Sequence, residues 1–164
     1  MRFTCERNEI HAAVQTVSGV VASKGVHPVY ESVEILADES GLTFLATDLE
    51  IGMKVHVAAG ETVRVERPGT AVVPAQRLAA ICRELPDGPV RFSWDAERRE
   101  SRIEGGGARF ELMGQSPEDF PEIPEVGGVG GIEIERSVLH DMIRRVSFAA
   151  ARRRSGAGPA RAGS

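Results

Sequence analysis

MRFTCERNEIHAAVQTVSGV (residues 1–20) changes period part-way along, and the fold follows from that change. Phe3 and Cys5 alternate with polar neighbours, as in a strand with one buried side. From Ile10 onward the apolar residues Ile10, Val14, Val17 and Val21 recur at steps of four, three and four, the spacing of a helix. Asn8 stands where a side chain caps such a helix, and His11, Gln15 and Ser18 fall on its opposite side as a polar, nearly uncharged face. The same pattern returns at IEIERSVLHDMIRRVSF (residues 132–148). Five of the seventeen positions are identical: Glu6/Glu135, Arg7/Arg136, His11/His140, Val17/Val146 and Ser18/Ser147. There Ser137 takes the place of Asn8 as a cap, and Leu139, Met142, Ile143 and Val146 form the apolar stripe. The chain thus begins one unit and later begins another like it.

Between the two starts the period is mostly that of antiparallel sheet. Val33 and Ile35 alternate in one short run; Leu42, Phe44 and Ala46 alternate after the turn DESG; Ile51, Met53, Val55 and Val57 hold period two through IGMKVHV. A second helix is predicted in VPAQRLAAICRELPDG. Pro74 suits its first turn, Leu78, Ile81, Cys82 and Leu85 form its stripe, and Gln76, Arg77 and Arg83 lie on its exposed side. VRFSW and ESRIEGGGARFELMG then read as further strands joined by turns. Strand, helix, strands is followed by strand, helix, strands, so the first unit is itself doubled. QSPEDFPEIPE and VGGVGG read together as an interdomain connection.

At 164 residues, 41% hydrophobic and 27% charged, the chain has the composition of a globular protein with one ordinary core. Its apolar runs are too short to cross a bilayer, and residues 1–9 lack the apolar centre of a secretion signal, so a cytoplasmic protein with no membrane partner is expected. Cys5 and Cys82 sit among apolar residues and read as packing groups. The formal net charge of −4 hides an asymmetry. Residues 152–164 hold four arginines and no acid, leaving 16 basic against 24 acidic side chains in residues 1–151, a net of −8. An acidic body argues against a general nucleic-acid binder without excluding one basic face. Lys24, Gln76, Arg77, Arg83, Arg144 and the arginines at 152–154 are the candidates for such a face.

No residue constellation for catalysis or metal binding is present, and no cofactor is implied. Asp48 and Glu50 come nearest to a carboxylate pair, sharing a face only if the strand runs through them; a polar turn is the plainer reading. The glycines of GGGARF lack the lysine and the strand-to-helix setting of a phosphate loop and read as a tight turn. His11, His27, His56 and His140 are scattered.

Four stretches in order, MRFTCERNEIHAAVQTVSGVV, LTFLATDLEIGMKVHV, VVPAQRLAAICRELPDG and RFELMGQSPEDFPEIP, together resemble the bacterial sliding clamps, the beta subunits of DNA polymerase III, over residues 1 to about 151. The resemblance implies an α+β DNA-clamp fold: a pseudo-duplicated unit of two helices packed on antiparallel sheets, repeated three times per subunit. It also implies a homodimeric ring around duplex DNA that tethers the replicative polymerase and is loaded by a clamp loader. Such a protein is a non-catalytic processivity factor, and the nucleotidyltransferase activity belongs to the complex. Residue by residue, the resemblance gives DNA contacts to Lys24, Gln76, Arg77 and Arg144, with Gln76 replacing an arginine frequent in the family. It assigns the dimer interface to Arg77, Arg109, Phe110 and Leu112. The family's main partner cleft, between second and third domains, is not in this chain.

The expected organisation is a clamp domain at 1–125, a Gly-rich linker at 126–131, the first strand and helix of a second clamp domain at 132–151, and a disordered Arg/Gly/Ala-rich tail at 152–164. On that reading the chain is a truncated or frame-shifted product, the alternative being a natural short form with a basic tail, and it does not close a ring alone. Two other readings are an interaction fragment that binds the clamp's dimer interface and a small metal-dependent hydrolase using Asp48 and Glu50.

Overall fold

The computed structural model describes residues 1–21, 28–123 and 133–149. The chain forms two compact units, residues 1–124 and residues 125–164.

The first unit starts with strand β1 (Arg2–Glu6), which runs directly into helix α1 (Arg7–Val17). The predicted Asn8 cap is corrected here: the helix begins at Arg7, with Glu6 at the N-cap and no side-chain cap. Two backbone amides at the junction are instead met by carbonyls from distant parts of the chain. Glu6 N–H donates to the Thr62 carbonyl and Arg7 N–H to that of Gly88, both at 2.9 Å. Ile10, Ala13, Val14 and Val17 form the buried stripe of α1. Val21 lies beyond the helix, which ends at Val17.

A 3₁₀ turn (Pro28–Glu31) leads into β2 (Ser32–Asp38), β3 (Gly41–Thr47), β4 (Gly52–Ala58) and β5 (Val63–Arg67). The second half follows as β6 (Gly69–Pro74), α2 (Ala75–Glu84), β7 (Pro89–Asp95), β8 (Glu100–Gly105) and β9 (Ala108–Met113). Ala75, Leu78, Ala79 and Cys82 are the buried stripe of α2. Gly106 and Gly107, at φ of 56° and 83°, make the β8–β9 hairpin in a backbone region open to glycine at little cost.

The halves are interlocked. One sheet has the order β5-β1-β7-β8-β9 and the other β4-β3-β2-β6, all neighbours antiparallel. Each half therefore contributes its opening strand, β1 or β6, to the sheet made mainly by the other half. The seam is sealed by Phe3 on β1 and Phe92 on β7, directly paired, with rings stacked at 5.0 Å and fully buried. The inner faces of both sheets and the stripes of both helices form one hydrophobic core.

The repeat extends past β9. As β5 pairs with β1, so Gln115 bridges Val72 on β6, reduced to a single pair. The approach demands Gly114, since a Cβ there would lie 2.1 Å from the Val72 carbonyl oxygen. The chain then crosses the four-stranded sheet from β6 to β4, where Ile123 rests against Gly52. Residues 115–123, read from sequence as part of a connection, are thus packed on the first unit. Val72 is fully buried, and half-buried Glu34, its partner on β2, has its carboxyl pKa raised by burial.

In the second unit, helix α3 spans Arg136–Val146, with Glu135 at its N-cap. Ser137 lies inside the first turn and hydrogen-bonds the Glu135 carboxylate, correcting its expected role as a cap. Val138, Leu139, Met142, Ile143 and Val146 are all exposed. Ile132, the tail and the glycine-rich stretch at 126–131 lie outside the described residues.

Cys5 and Cys82 are free thiols with 1% and 0% exposure, and burial pushes each up to about 12. The unfolded chain releases these protons near the ordinary thiol value, whereas the folded chain retains them. Their contribution is thus complete below about pH 9 and is lost as the pH rises toward 12, by roughly 1.4 kcal/mol per pH unit for each thiol. Urea unfolding between pH 8 and 10.5 is expected to show falling stability above pH 9, with a shallower fall in Cys82→Ala. Equal slopes for the two proteins would contradict this assignment.

Candidate nucleic-acid interface

Helices α1 and α2 pack against each other, and their outward residues make one surface. On α2 the exposed positions are Gln76, Arg77, Ala80, Arg83 and Glu84. On α1 they are Asn8, Ala12, Gln15 and Thr16. His11 and Ser18, expected on this polar face, are only half-exposed, and His11 Nε2 and Ser18 Oγ are buried without a hydrogen-bond partner among the described residues. The polar face is rotated by about one position from the one expected, because Ala13 and not Val21 completes the buried stripe of α1, which moves the polar centre to Asn8, Ala12, Gln15 and Thr16.

The surface is nearly neutral, since Arg77 and Arg83 face Glu84 with no other exposed charge on either helix. Arg77 occupies the first turn of α2, where no acid stands and where the helix dipole already supplies positive potential. A cation there costs about 0.3–1 kcal/mol in isolation and becomes favourable only beside an anion. Gln76, next to it, adds a neutral amide able to reach a phosphate oxygen. Arg83 in the last turn is favoured by the dipole and requires no such explanation.

The other sequence candidates are dispersed. Lys24 and the arginines at 152–154 lie outside the described residues. Arg144 is exposed on α3, in the second unit, 3.8 Å from the Asp141 carboxylate. Of the four residues assigned to a subunit contact, Arg109, Phe110 and Leu112 lie on β9, an outer strand of the five-stranded sheet. Arg77 stands on α2, which packs near β9. Arg109 already pairs with Glu111 at 3.3 Å and Glu104 at 3.8 Å. Leu112 is 5% exposed and belongs to this unit's own core, with Ser101 Oγ donating to its carbonyl. Phe110 is half-buried at the core's rim. Met113, 61% exposed at the end of the same strand, went unnoticed in the sequence because the alternation places it on the polar side.

Asp48 and Glu50 do not share a strand face. They lie in the turn between β3 and β4, where Asp48 Oδ1 accepts the backbone amides of Glu50 and Ile51 at 2.9 and 2.7 Å and Leu49 takes a φ of 75°. That carboxylate holds a turn. Among the described residues no three His, Cys, Asp or Glu side chains are grouped to hold a metal ion, and no helix is long and apolar enough to cross a membrane.

Residues 1–124 match the family model described as DNA polymerase III beta subunit, N-terminal domain. The beta sliding clamp of Pseudomonas aeruginosa is 32% identical over 151 residues, covering 92% of this chain and 40% of that protein; that of Bacillus subtilis is 27% identical, covering 91% and 40%. Among solved structures, the B. subtilis DNA polymerase sliding clamp superposes with a TM-score of 0.88 at 26% identity, over 94% of this chain and 42% of that one. The P. aeruginosa DNA polymerase III subunit beta gives 0.84 at 30%, over 94% and 41%. The chain thus spans about 40% of the length of the relatives it matches. With the family model covering 1–124 and the interlocked double sheet matching clamp structures, this chain belongs to the DNA polymerase III beta subunit family, through its N-terminal domain.

Proposed function

We propose that this chain supplies the DNA-facing and one subunit-facing part of a sliding clamp, a non-catalytic processivity factor that surrounds duplex DNA and tethers the replicative polymerase. The observation that carries this reading is the helix surface of the first unit: polar, nearly neutral, and bearing Arg77 at a helix start where a cation is disfavoured unless an anion is nearby. A ring that holds DNA by topology needs weak, sequence-blind contacts that break as readily as they form. Gln76 and Arg77 on α2, Arg144 on α3 and Lys24 would touch the phosphate backbone, and no base-reading group is required.

In the same reading β9 is the edge by which the first domain meets the third domain of another subunit in a homodimer. An outer strand offers unpaired backbone groups for another strand, and Phe110 at the core's rim is its apolar anchor. Leu112 supports the strand from within and Arg77 and Arg109 flank it. The polymerase III subunits and the clamp loader are partners of the assembled ring, which works in the cytoplasm. Residues 1–125 are a clamp domain, 126–131 a linker and 132–151 the start of a second, with 152–164 as a tail.

The DNA contact is tested by fluorescence anisotropy of a labelled duplex over a range of salt. The expected result is weak binding that falls as salt rises, with Arg77→Ala weakening it uniformly across sequences and lowering the salt slope by about 1. Binding unchanged by Arg77→Ala, or insensitive to salt, would remove α2 from the DNA face. The subunit contact is tested by sedimentation of the chain mixed with the intact P. aeruginosa clamp at dilutions that open the dimer. Co-sedimentation is expected and should be lost in Phe110→Arg while the far-ultraviolet spectrum is preserved. A mixture in which Phe110→Arg associates as well as the natural chain counts against the edge.

A further inference from the structure

The outer face of the five-stranded sheet carries a charge pattern that neither the helix surface nor the β9 edge explains. Arg2 is paired directly with Arg67 across β1 and β5, and Thr4 is flanked by Arg64 on β5 and Arg91 on β7. Directly paired residues share a face, and Arg2 and Thr4 are two positions apart, so Arg2, Arg64, Arg67 and Arg91 all stand on one side of three adjacent strands. All four are exposed, and none has a carboxylate within ion-pairing distance among the described residues. On the β8–β9 half of the same sheet, by contrast, Arg102 and Arg109 are both paired, with Glu104 and Glu111.

Like charges placed directly opposite destabilise a strand pair, so Arg2 facing Arg67 works against the fold unless an external anion offsets it. Of the acids nearby, Glu104 stands directly opposite Arg91 across β7 and β8, Glu66 accepts the Thr4 hydroxyl at 3.1 Å and Asp95 Oδ1 accepts the amides of Glu97 and Arg98, and none of them is within ion-pairing distance of Arg2, Arg64 or Arg67. We propose that this face, with β5 at its margin, is a docking surface for an extended acidic peptide from a partner protein.

Two features favour a peptide over nucleic acid. The outward positions of β1, β5 and β7 carry no aromatic side chain on which a single strand could stack its bases; Phe3, Phe92 and Trp94 all point into the core. In addition, β5 is the outer strand of its sheet, beside which an extended chain can add as a further strand. Alternate side chains of such a chain lie on one face at about 6.6–6.8 Å, so acids on that face can meet Arg64 and Arg67, three positions apart and brought onto one side by the bulge in the β1–β5 pairing. Arginine forks bind carboxylates in two-point fashion, which gives the contact direction as well as charge.

The probe is a fluorescein-labelled twelve-residue peptide of alternating glutamate and valine, titrated with the full chain and compared with a twelve-nucleotide oligothymidylate. The peptide is expected to bind at low salt, to lose affinity as salt rises, and to bind at least tenfold more weakly to Arg64→Glu/Arg67→Glu. Arg64→Gln/Arg67→Gln, which removes charge without reversing it, should show a smaller loss in the same direction with an unchanged melting temperature. Peptide affinity that is absent, or equal on all three proteins, overturns the proposal. So does an oligothymidylate that binds more tightly than the peptide and depends on the same two arginines.

Discussion

The exchange of opening strands between the two halves is the constraint from which the rest of the first unit follows. With β1 paired to β7 and β6 paired to β2, neither half has a complete sheet without the other. The stacked, fully buried rings of Phe3 and Phe92 lie on that exchange, so loss of either ring opens the seam between halves as well as a cavity. The same exchange places α1 and α2 side by side. Each helix follows directly on its half's opening strand, and those strands cross into opposite sheets.

Side-by-side helices with inward apolar stripes leave one outward polar surface, and its chemistry suits a ring better than a grip. On the proposed reading, few charges, no base-reading groups and a cation at a helix start would give DNA contacts that are individually weak and independent of sequence. A protein that acts by topology gains nothing from a deep cleft or a perturbed catalytic group. Among the described residues of the first unit, the strongest departures from ordinary pKa values belong to Cys5 and Cys82, both sealed in the core. The duplication also gives each sheet an outer edge at the third strand after a half's helix, β4 or β9.

Much of this was legible in the sequence because it rests on periodicity. The stripes of α1 and α2, the alternation of β2 to β4 and the hairpin at Gly106–Gly107 depend on local pattern, and three of the four family-like stretches lie on them. What was not legible depends on contacts distant in sequence. Asn8 looked like a cap because local pattern does not show that the helix starts at Arg7, at a junction held by the distant carbonyls of Thr62 and Gly88. Residues 115–123 looked like a linker because their proline-rich composition does not reveal that Ile123 meets Gly52. That Leu112, given to a subunit contact by the resemblance, is buried in this unit's own core was likewise not legible, because strand alternation alone does not say which face another sheet will cover. The facing of Arg2 and Arg67 needs the β1–β5 register, which includes a bulge between Arg2 and Phe3.

The account places DNA on the helices and leaves the outer face of the five-stranded sheet to other partners, and amide chemical-shift mapping of the isotopically labelled chain titrated with duplex DNA addresses that division most directly. Perturbations concentrated on α1 and on the first turn of α2 around Gln76 and Arg77, with β1, β5 and β7 unmoved, are the predicted result. Shifts centred on Arg2, Arg64, Arg67 and Arg91, with α2 silent, would contradict it and move the nucleic-acid face to the opposite side of the molecule.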